Sequence, residues 1–256
     1  MSQPSLCRSL REFILSQGAS KNITVQEWDK IWTINKKMID PVCPRHTAVE
    51  APARVPVHLT NFATQSEVNV VAKHKKNPAA GNKMQLRKSP ILIDQADAQS
   101  VVEGEEVTLM EWGNAYVRGI TRDDASGLVT AMSMELHLEG DFKKTKLKLT
   151  WLADSPELVD LVLVDFDYLI WKRKVEEEDD FKTLVNDVSR FERPALGDAN
   201  LRSLQKGDIL QLERKGYFIC DEPLTRPGKA VVLLSIPDGR ERKPFPTSGN
   251  PRPVVA

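Results

Sequence analysis

The chain has 256 residues, 41% of them hydrophobic and 28% charged, with 36 Lys and Arg against 36 Asp and Glu. That composition excludes a disordered or collagen-like chain, and no run of 18 or more apolar residues is present to form a bilayer-spanning helix. The charge is unevenly placed: residues 1–90 hold 14 Lys and Arg against 6 Asp and Glu, so the rest of this neutral chain is acidic, a pattern that hints at a polyanion-facing surface.

In chain order, Leu6, Leu10, Phe13 and Ile14 recur at helical spacing and Gly18 offers a stop. Thr24 is a candidate N-cap for a second helix carrying Val25, Trp28, Ile31, Trp32 and Met38, which ends at Asp40-Pro41. Pro41, Pro44, Pro52 and Pro56 then keep the chain extended, and the periodicity changes from helical to alternating. Short strands are predicted at 55–59, 67–72, 91–93, 107–110 and 116–120, and a half-solvated strand at 144–151. Another covers 158–170, where Asp160, Asp165 and Asp167 fit solvent-facing alternation better than a metal site. Glu176 to Asp180 is a solvated acidic turn, and Ile209–Glu213, Arg214-Lys215-Gly216 and Tyr217–Cys220 spell a hairpin. The proline-rich end of the chain reads as a loose tail.

Strands about ten residues apart favour barrels over a parallel sheet. The expected fold is mainly β, an N-terminal helical subdomain followed by two antiparallel β-barrels. Cys7, Cys43 and Cys220 are odd in number and widely spaced, so they read as free thiols of a reducing compartment. The first residues lack a charged head followed by an apolar stretch. A cytoplasmic location, with no membrane partner, is expected. His46, His58, His74 and His137 are not at metal-binding spacing, and no nucleophile motif or Gly-rich phosphate loop is present. Catalysis by this chain is not expected.

Three stretches go beyond a generic β-protein: 10–45, with Glu27-Trp28-Asp29-Lys30-Ile31-Trp32 and Asn35 to Pro41; Glu106 to Asn114; and Leu149 to Ala153 together with Lys206 to Phe218. Over roughly residues 5–240 the chain resembles the C-terminal, anticodon-binding part of cytosolic, eukaryotic-type glutamyl-tRNA synthetases, in the glutamyl/glutaminyl subgroup of class I. The resemblance implies a helical subdomain over 1–42 and a first, proximal barrel from 43–70 plus 150–245. It implies a second, distal barrel over 71–149, with a loose tail at 246–256. The family's parent enzyme joins glutamate to tRNA(Glu) with ATP and Mg, through His-x-Gly-His and Lys-Met-Ser-Lys-Ser motifs. Neither motif occurs here, so no cofactor is expected in this chain, which corresponds to the part downstream of the active site. The expected partner is tRNA(Glu), with the catalytic half of a synthetase or other synthetase-complex proteins beside it. A stand-alone RNA-binding factor or a scaffold module derived from the synthetase is the alternative.

By resemblance to glutaminyl enzymes, Arg45, Gln211 and Arg214 read the middle anticodon base, U35. An Arg fork and a Gln amide together complement uracil's carbonyls and N–H. Read without the resemblance, these are an exposed Arg after a proline and polar hairpin positions. The glutaminyl enzymes carry further arginines around 107–114 where this chain has Thr108, Met110, Glu111, Trp112 and Asn114. That departure favours the glutamyl assignment and leaves the reader of C36 open. Trp112 suits either base stacking or the barrel core, and Asn114 is grouped with it as an anticodon contact. Lys73, Lys75, Lys76, Lys83, Arg87 and Lys88 form the densest basic stretch, expected to contact phosphates or to form a solvated loop.

Overall fold

The computed structural model describes residues 5–19, 26, 28–63, 65–170, 172 and 175–240. Thr24, Val25 and the expected tail at 246–256 lie outside them. Two helices open the chain, α1 (Ser5–Ser16) and α2 (Asp29–Ile39). Both are amphipathic: α2 buries Ile31, Asn35 and Ile39, while α1 leaves Leu10, Ile14 and Leu15 exposed. Ser9 of α1 donates to the Asn35 Oδ1 of α2 at 2.9 Å, pairing two buried polar groups.

The strands that follow are β1 (Arg45–His46), β2 (Ala48–Glu50), β3 (Val55–Leu59), β4 (Glu67–Ala72), β5 (Asn82–Arg87) and β6 (Ile91–Ile93). After α3 (Gln95–Ser100) come β7 (Glu106–Leu109), β8 (Gly113–Arg122), β9 (Val129–His137), β10 (Lys148–Leu149), β11 (Leu152–Ala153) and β12 (Val159–Phe166). The one-turn α4 (Phe181–Leu184) precedes β13 (Arg190–Gly197), a 3-10 turn at Ala199–Ser203, β14 (Ile209–Leu212), β15 (Gly216–Glu222) and β16 (Val231–Ile236).

Two curled sheets hold most of these strands. The first runs β1-β14-β15-β16-β12-β13-β2 and the second β10-β7-β8-β9-β3-β6-β11. The outermost strands of each sheet are consecutive pieces of one chain segment. β1 and β2 flank Thr47, and β10 and β11 flank Thr150-Trp151, so a single split strand closes each sheet on itself and removes the open edges. Both barrels are mixed, not purely antiparallel: β1–β14, β12–β16, β10–β7 and β3–β9 pair in parallel.

The two barrels share one order of pairings, and along the chain each is built from a unit of the same design. A split strand is followed by two strands separated by an excursion, a helical turn and three strands. In the unit spanning 45–137 the excursion is the β4–β5 ribbon, and in the unit spanning 148–236 it is the segment holding α4. The split strand that begins each unit closes the barrel of the other. Strand β3 therefore belongs to the second barrel, through β6 and β9, although the expected division placed residues up to 70 in the first. Trp151 and Ala153 likewise line the second barrel, with β11 paired to β6. Alternation alone cannot show this, because the pairing is non-local. The predicted strand at 144–151 shrinks to Lys148–Leu149 for the same reason, its earlier residues forming turns.

Each barrel has its own apolar core. The first packs Leu161, Leu163, Leu201, Leu210, Phe218 and Leu233; the second packs Val57, Ile91, Ile93, Leu109, Met134 and Trp151. Burial of such side chains stabilises by about 1.5–3 kcal/mol each. Because each core is closed by the other unit's strand, the barrels are expected to unfold as one body. Leu163→Ala, in the first core, is expected to cost about 2–5 kcal/mol. It should lower amide-exchange protection in the second barrel's β3 and β9 as much as in β12.

Candidate nucleic-acid interface

The split strand β1–β2 builds the candidate site. Parallel pairing with β14 sets Arg45 opposite Gln211 and His46 opposite Leu212, so residues 166 positions apart in sequence share one register. The strand is held at its switch point: Thr47 N donates to Asp198 Oδ2 at 2.9 Å, and Thr47 Oγ1 donates to Glu213 Oε2 at 3.3 Å. The buried His46 ring lies with Nδ1 3.2 Å from both oxygens of Asp198. Burial opposes ionisation of Asp198, but the His46 charge and hydrogen bond, with Lys83 and the Thr47 N–H, hold its carboxyl well below the usual range.

Arg45 is half-buried, 3.7 Å from Asp40 through Nη2. Asp40 Oδ1 also accepts from the Tyr217 hydroxyl. Burial first, and then this carboxylate, push the Tyr217 hydroxyl and the neighbouring Cys43 thiol upward, the thiol to about 11. Both stay protonated at neutral pH. Two atoms remain unmatched: Arg45 Nε, a donor, and Gln211 Oε1, an acceptor, are buried without a hydrogen-bond partner. Each such group costs about 1–3 kcal/mol, and native proteins keep few of them.

The tip of the β4–β5 ribbon folds beside this pair. Arg45 N donates to Lys73 O at 2.7 Å, and His74 Nε2 lies 3.0 Å from Asp40 O. Since His74 Nδ1 accepts from Lys76 N at 3.2 Å, the Nε2 proton faces Asp40 O. Half-buried Lys73 and exposed Lys76 thus stand next to Arg45, and no acidic partner of either is found among the described residues. Lys75 is exposed but pairs with Glu111 at 2.8 Å. Lys88 Nζ reaches only the Asp154 carbonyl, at 3.4 Å.

Three expected contacts are placed differently. Lys83 is 6% exposed and points at Glu213 Oε2, 3.9 Å away. It is a buried counter-charge, not a surface phosphate ligand. Asn114 is fully buried, its Oδ1 accepting from Thr108 Oγ1 at 2.9 Å and its Nδ2 donating to Glu106 Oε1 at 2.9 Å. It anchors the β7–β8 hairpin and presents no edge to a base. Arg214 carries its guanidinium to the second barrel, where it grips Asp97 of α3 with both Nη atoms, Nη2 to Oδ1 at 2.6 Å. Lys215 joins Asp94 at 2.7 Å. These pairs tie the β14–β15 turn to α3. The Arg214 side chain stays 44% exposed.

Arg214 also occupies an unusual backbone position, with φ of 65°. Its counterpart in the other unit's β7–β8 turn, Glu111, has φ of 62°, a left-handed conformation uncommon for residues other than glycine. Matching bonds close the two turns, Lys215 N to Leu212 O and Trp112 N to Leu109 O, both at 3.0 Å. Trp112 leans on Trp151, ring centroids 4.6 Å apart, and meets Phe62 edge-on at 5.3 Å. The Arg87 guanidinium covers it at 5.5 Å. Trp112 is therefore part of the second barrel's rim.

The residues that sequence reasoning missed are acidic: Asp40, Asp94, Asp97 and Asp198. Only Asp198 carried a local signal, as an N-cap whose side chain accepts from Asn200 N at 3.0 Å. The others act through partners distant in the chain. Replacing Asp198 with Asn removes the carboxylate that holds the buried His46 ring and the Thr47 N–H, an expected loss of about 1–3 kcal/mol at pH 7. A carboxylate depressed in the folded state stabilises above its unfolded pKa, about 3.9, and loses that contribution as pH falls toward the lower folded value. Urea unfolding should show the gap between wild type and Asp198→Asn narrowing below about pH 4.

Comparisons with known proteins agree with this geometry. Residues 43–139 and 148–221 each match a family described as tRNA synthetases class I (E and Q), anti-codon binding domain, and the two spans follow the two structural units. A cytoplasmic glutamate–tRNA ligase of Arabidopsis thaliana is 54% identical over 235 residues, covering 92% of this chain and 32% of that protein. Its Saccharomyces cerevisiae counterpart is 44% identical over 231 residues, covering 90% of this chain and 32% of that protein. A bifunctional glutamate/proline–tRNA ligase of Mus musculus is 41% identical over 250 residues, covering 94% of this chain and 16% of that protein. The chain thus spans about a third or less of the length of these relatives. Paired split-strand barrels, the two family matches and these identities lead to one conclusion: the chain belongs to the anticodon-binding domains of the class I (E and Q) tRNA synthetases.

Proposed function

We propose that this chain selects tRNA(Glu) for a cytoplasmic glutamate–tRNA ligase by reading its anticodon, and that Arg45 and Gln211 contact the middle base, U35. The observation that carries this is the register pair itself. A donor and an acceptor stand side by side with Arg45 Nε and Gln211 Oε1 unmatched. Uracil supplies an N–H for the amide oxygen and a carbonyl for the guanidinium. Arg214 serves the same hairpin as a charge fixed by Asp97, its exposed edge facing the bound loop. Lys73, Lys76 and Lys88 contact phosphates, a sequence-independent contribution that salt screens.

The reaction of the longer ligase, with its ATP and Mg, belongs to a catalytic half beside which this chain supplies selection. That half and other synthetase-complex proteins are its protein partners. In support of this division, the sequence has neither the His-x-Gly-His nor the Lys-Met-Ser-Lys-Ser motif.

Arg45→Ala is the clean test, because its long, partly exposed pair with Asp40 is worth about 1 kcal/mol or less to stability. Arg214→Ala would also break the link to α3. In a titration of the full chain, Arg45→Ala should bind tRNA(Glu) about 5- to 150-fold more weakly and lose its preference over a U35→C transcript. Raising salt should weaken wild-type binding to both transcripts alike. Equal binding of both transcripts by the wild type would overturn the assignment.

A further inference from the structure

We propose that the outer edge of β4 pairs with the same strand of a second copy of this chain, so that two ribbons join into one four-stranded sheet. The inference goes beyond the anticodon reading and does not depend on it. The β4–β5 ribbon is a sheet of two strands, and among the described residues no third strand covers it. Its two edges differ. Met84 of β5 turns its backbone to the first barrel, its N–H donating to Asn200 Oδ1 at 3.0 Å and its carbonyl accepting from Asn200 Nδ2 at 2.9 Å. Met84 stands opposite Val70 in the ladder. In this antiparallel pair the even-numbered residues therefore aim their backbone groups outward, and the odd-numbered ones bond across. Lys73 N, donating to Gly81 O at 2.8 Å, continues that alternation. The N–H and C=O groups of Val68, Val70 and Ala72 line the free edge of β4.

Nothing blunts that edge. Native sheets protect such strands with prolines, bulges or charges. Residues 68–72 read Val-Asn-Val-Val-Ala, without charge or proline, and β4 pairs with β5 in continuous register. Val68 and Val70 are each 61% exposed and Met84 is 68% exposed. The three share one face of the ribbon, because residues opposite each other point to the same side. Charges of opposite sign bound the apolar run, Glu67 at its start and Lys73 just past its end.

A second copy is the occupant whose sequence fits. Two β4 strands related by a two-fold axis run antiparallel and meet patch to identical patch. With the axis at Val70, Val70 faces Val70, Val68 faces Ala72, and Glu67 of each copy faces Lys73 of the other. The outward groups at 68, 70 and 72 then meet in hydrogen-bonded pairs, and the valine faces of both ribbons lie on one side of the sheet. An axis at Asn69 would set Glu67 against Val71, and one at Val71 would set Lys73 against Asn69. The charges select Val70. Lys73 answers Glu67 in the free chain and a phosphate once tRNA is bound.

Sedimentation equilibrium of the full chain without RNA, over a concentration series, tests this, with amide exchange by NMR as the residue-level readout. A contact of one strand is small, so the association is weak and depends on concentration. Wild type should move from 28.8 kDa toward twice that mass as concentration rises. Exchange at Val68, Val70 and Ala72 should slow together, while Asn69 and Val71, already bonded to β5, change little. Val70→Pro removes the bonds on the axis at an edge position whose N–H faces solvent in the single copy, where proline is tolerated. It should keep the chain monomeric with its fold intact. Glu67→Lys should also weaken the dimer, and adding Lys73→Glu should restore it, which decides the matter if the proline variant misfolds. A folded Val70→Pro that still dimerises, a dimer with unchanged exchange at 68, 70 and 72, or a charge swap that restores nothing overturns the proposal. So does a wild type still monomeric at about 1 mM, which would leave the edge to a strand of a different protein.

Discussion

The exchange of split strands is the constraint on which the rest of the molecule depends. Arg45 belongs by chain order to the unit whose remaining strands form the second barrel, yet it lies against Gln211 of the first. No local rule brings these two residues together. They meet because the strand carrying Arg45 closes the opposite barrel, and because Asp198 and Glu213 fix that strand at Thr47. A barrel closed by its own strand would separate the pair. The same exchange explains why ion pairs at the barrel junction, Arg214 with Asp97 and Lys215 with Asp94, act on an already shared body and set its alignment more than its stability.

Net charge says little about partners here, and the placement of ion pairs says much. Lys75, Lys83, Arg87, Arg214 and Lys215 all have acidic partners. Among the cations of residues 45–88, Lys73 and Lys76 with the weakly paired Arg45 lie at the ribbon tip, and Lys88 follows the ribbon's other end. A polyanion meets a small basic patch on a neutral protein, enough to position a phosphate chain while the unpaired Gln and Arg groups face bases. Positioning through phosphates and specificity through base edges are separate tasks, and different side chains carry them here.

Much of the fold was legible because its elements are short and locally marked. The end of α2 near Asp40-Pro41, the alternation at 55–59 and 91–93 and the 209–220 hairpin agree with the structure within a residue or two, whereas α2 begins at Asp29, later than the expected Thr24 cap. What was not legible depends on pairing across long separations: the parallel β3–β9 and β12–β16 ladders, the exchange itself, and the β5 strand hidden in a polar stretch. The site divides the same way. The meeting of Arg45 with Gln211 followed from resemblance. The fates of Asn114, Lys83 and Arg214 were decided by Glu106, Glu213 and Asp97, which no spacing rule connects to them. Polar side chains in turns look free in a sequence until the partner that buries them is known.

The central claim is that the Gln211 amide, unmatched in the free protein, is completed by one uracil. Side-chain amide NMR of the 15N-labelled chain tests it most directly, comparing two anticodon stem-loops that differ only in U35 or C35. The account predicts that the Gln211 side-chain resonances move with the uracil stem-loop and stay near their free positions with the cytosine one. Equal movement with both, or none while ribbon signals from 73–76 respond to binding, would contradict it.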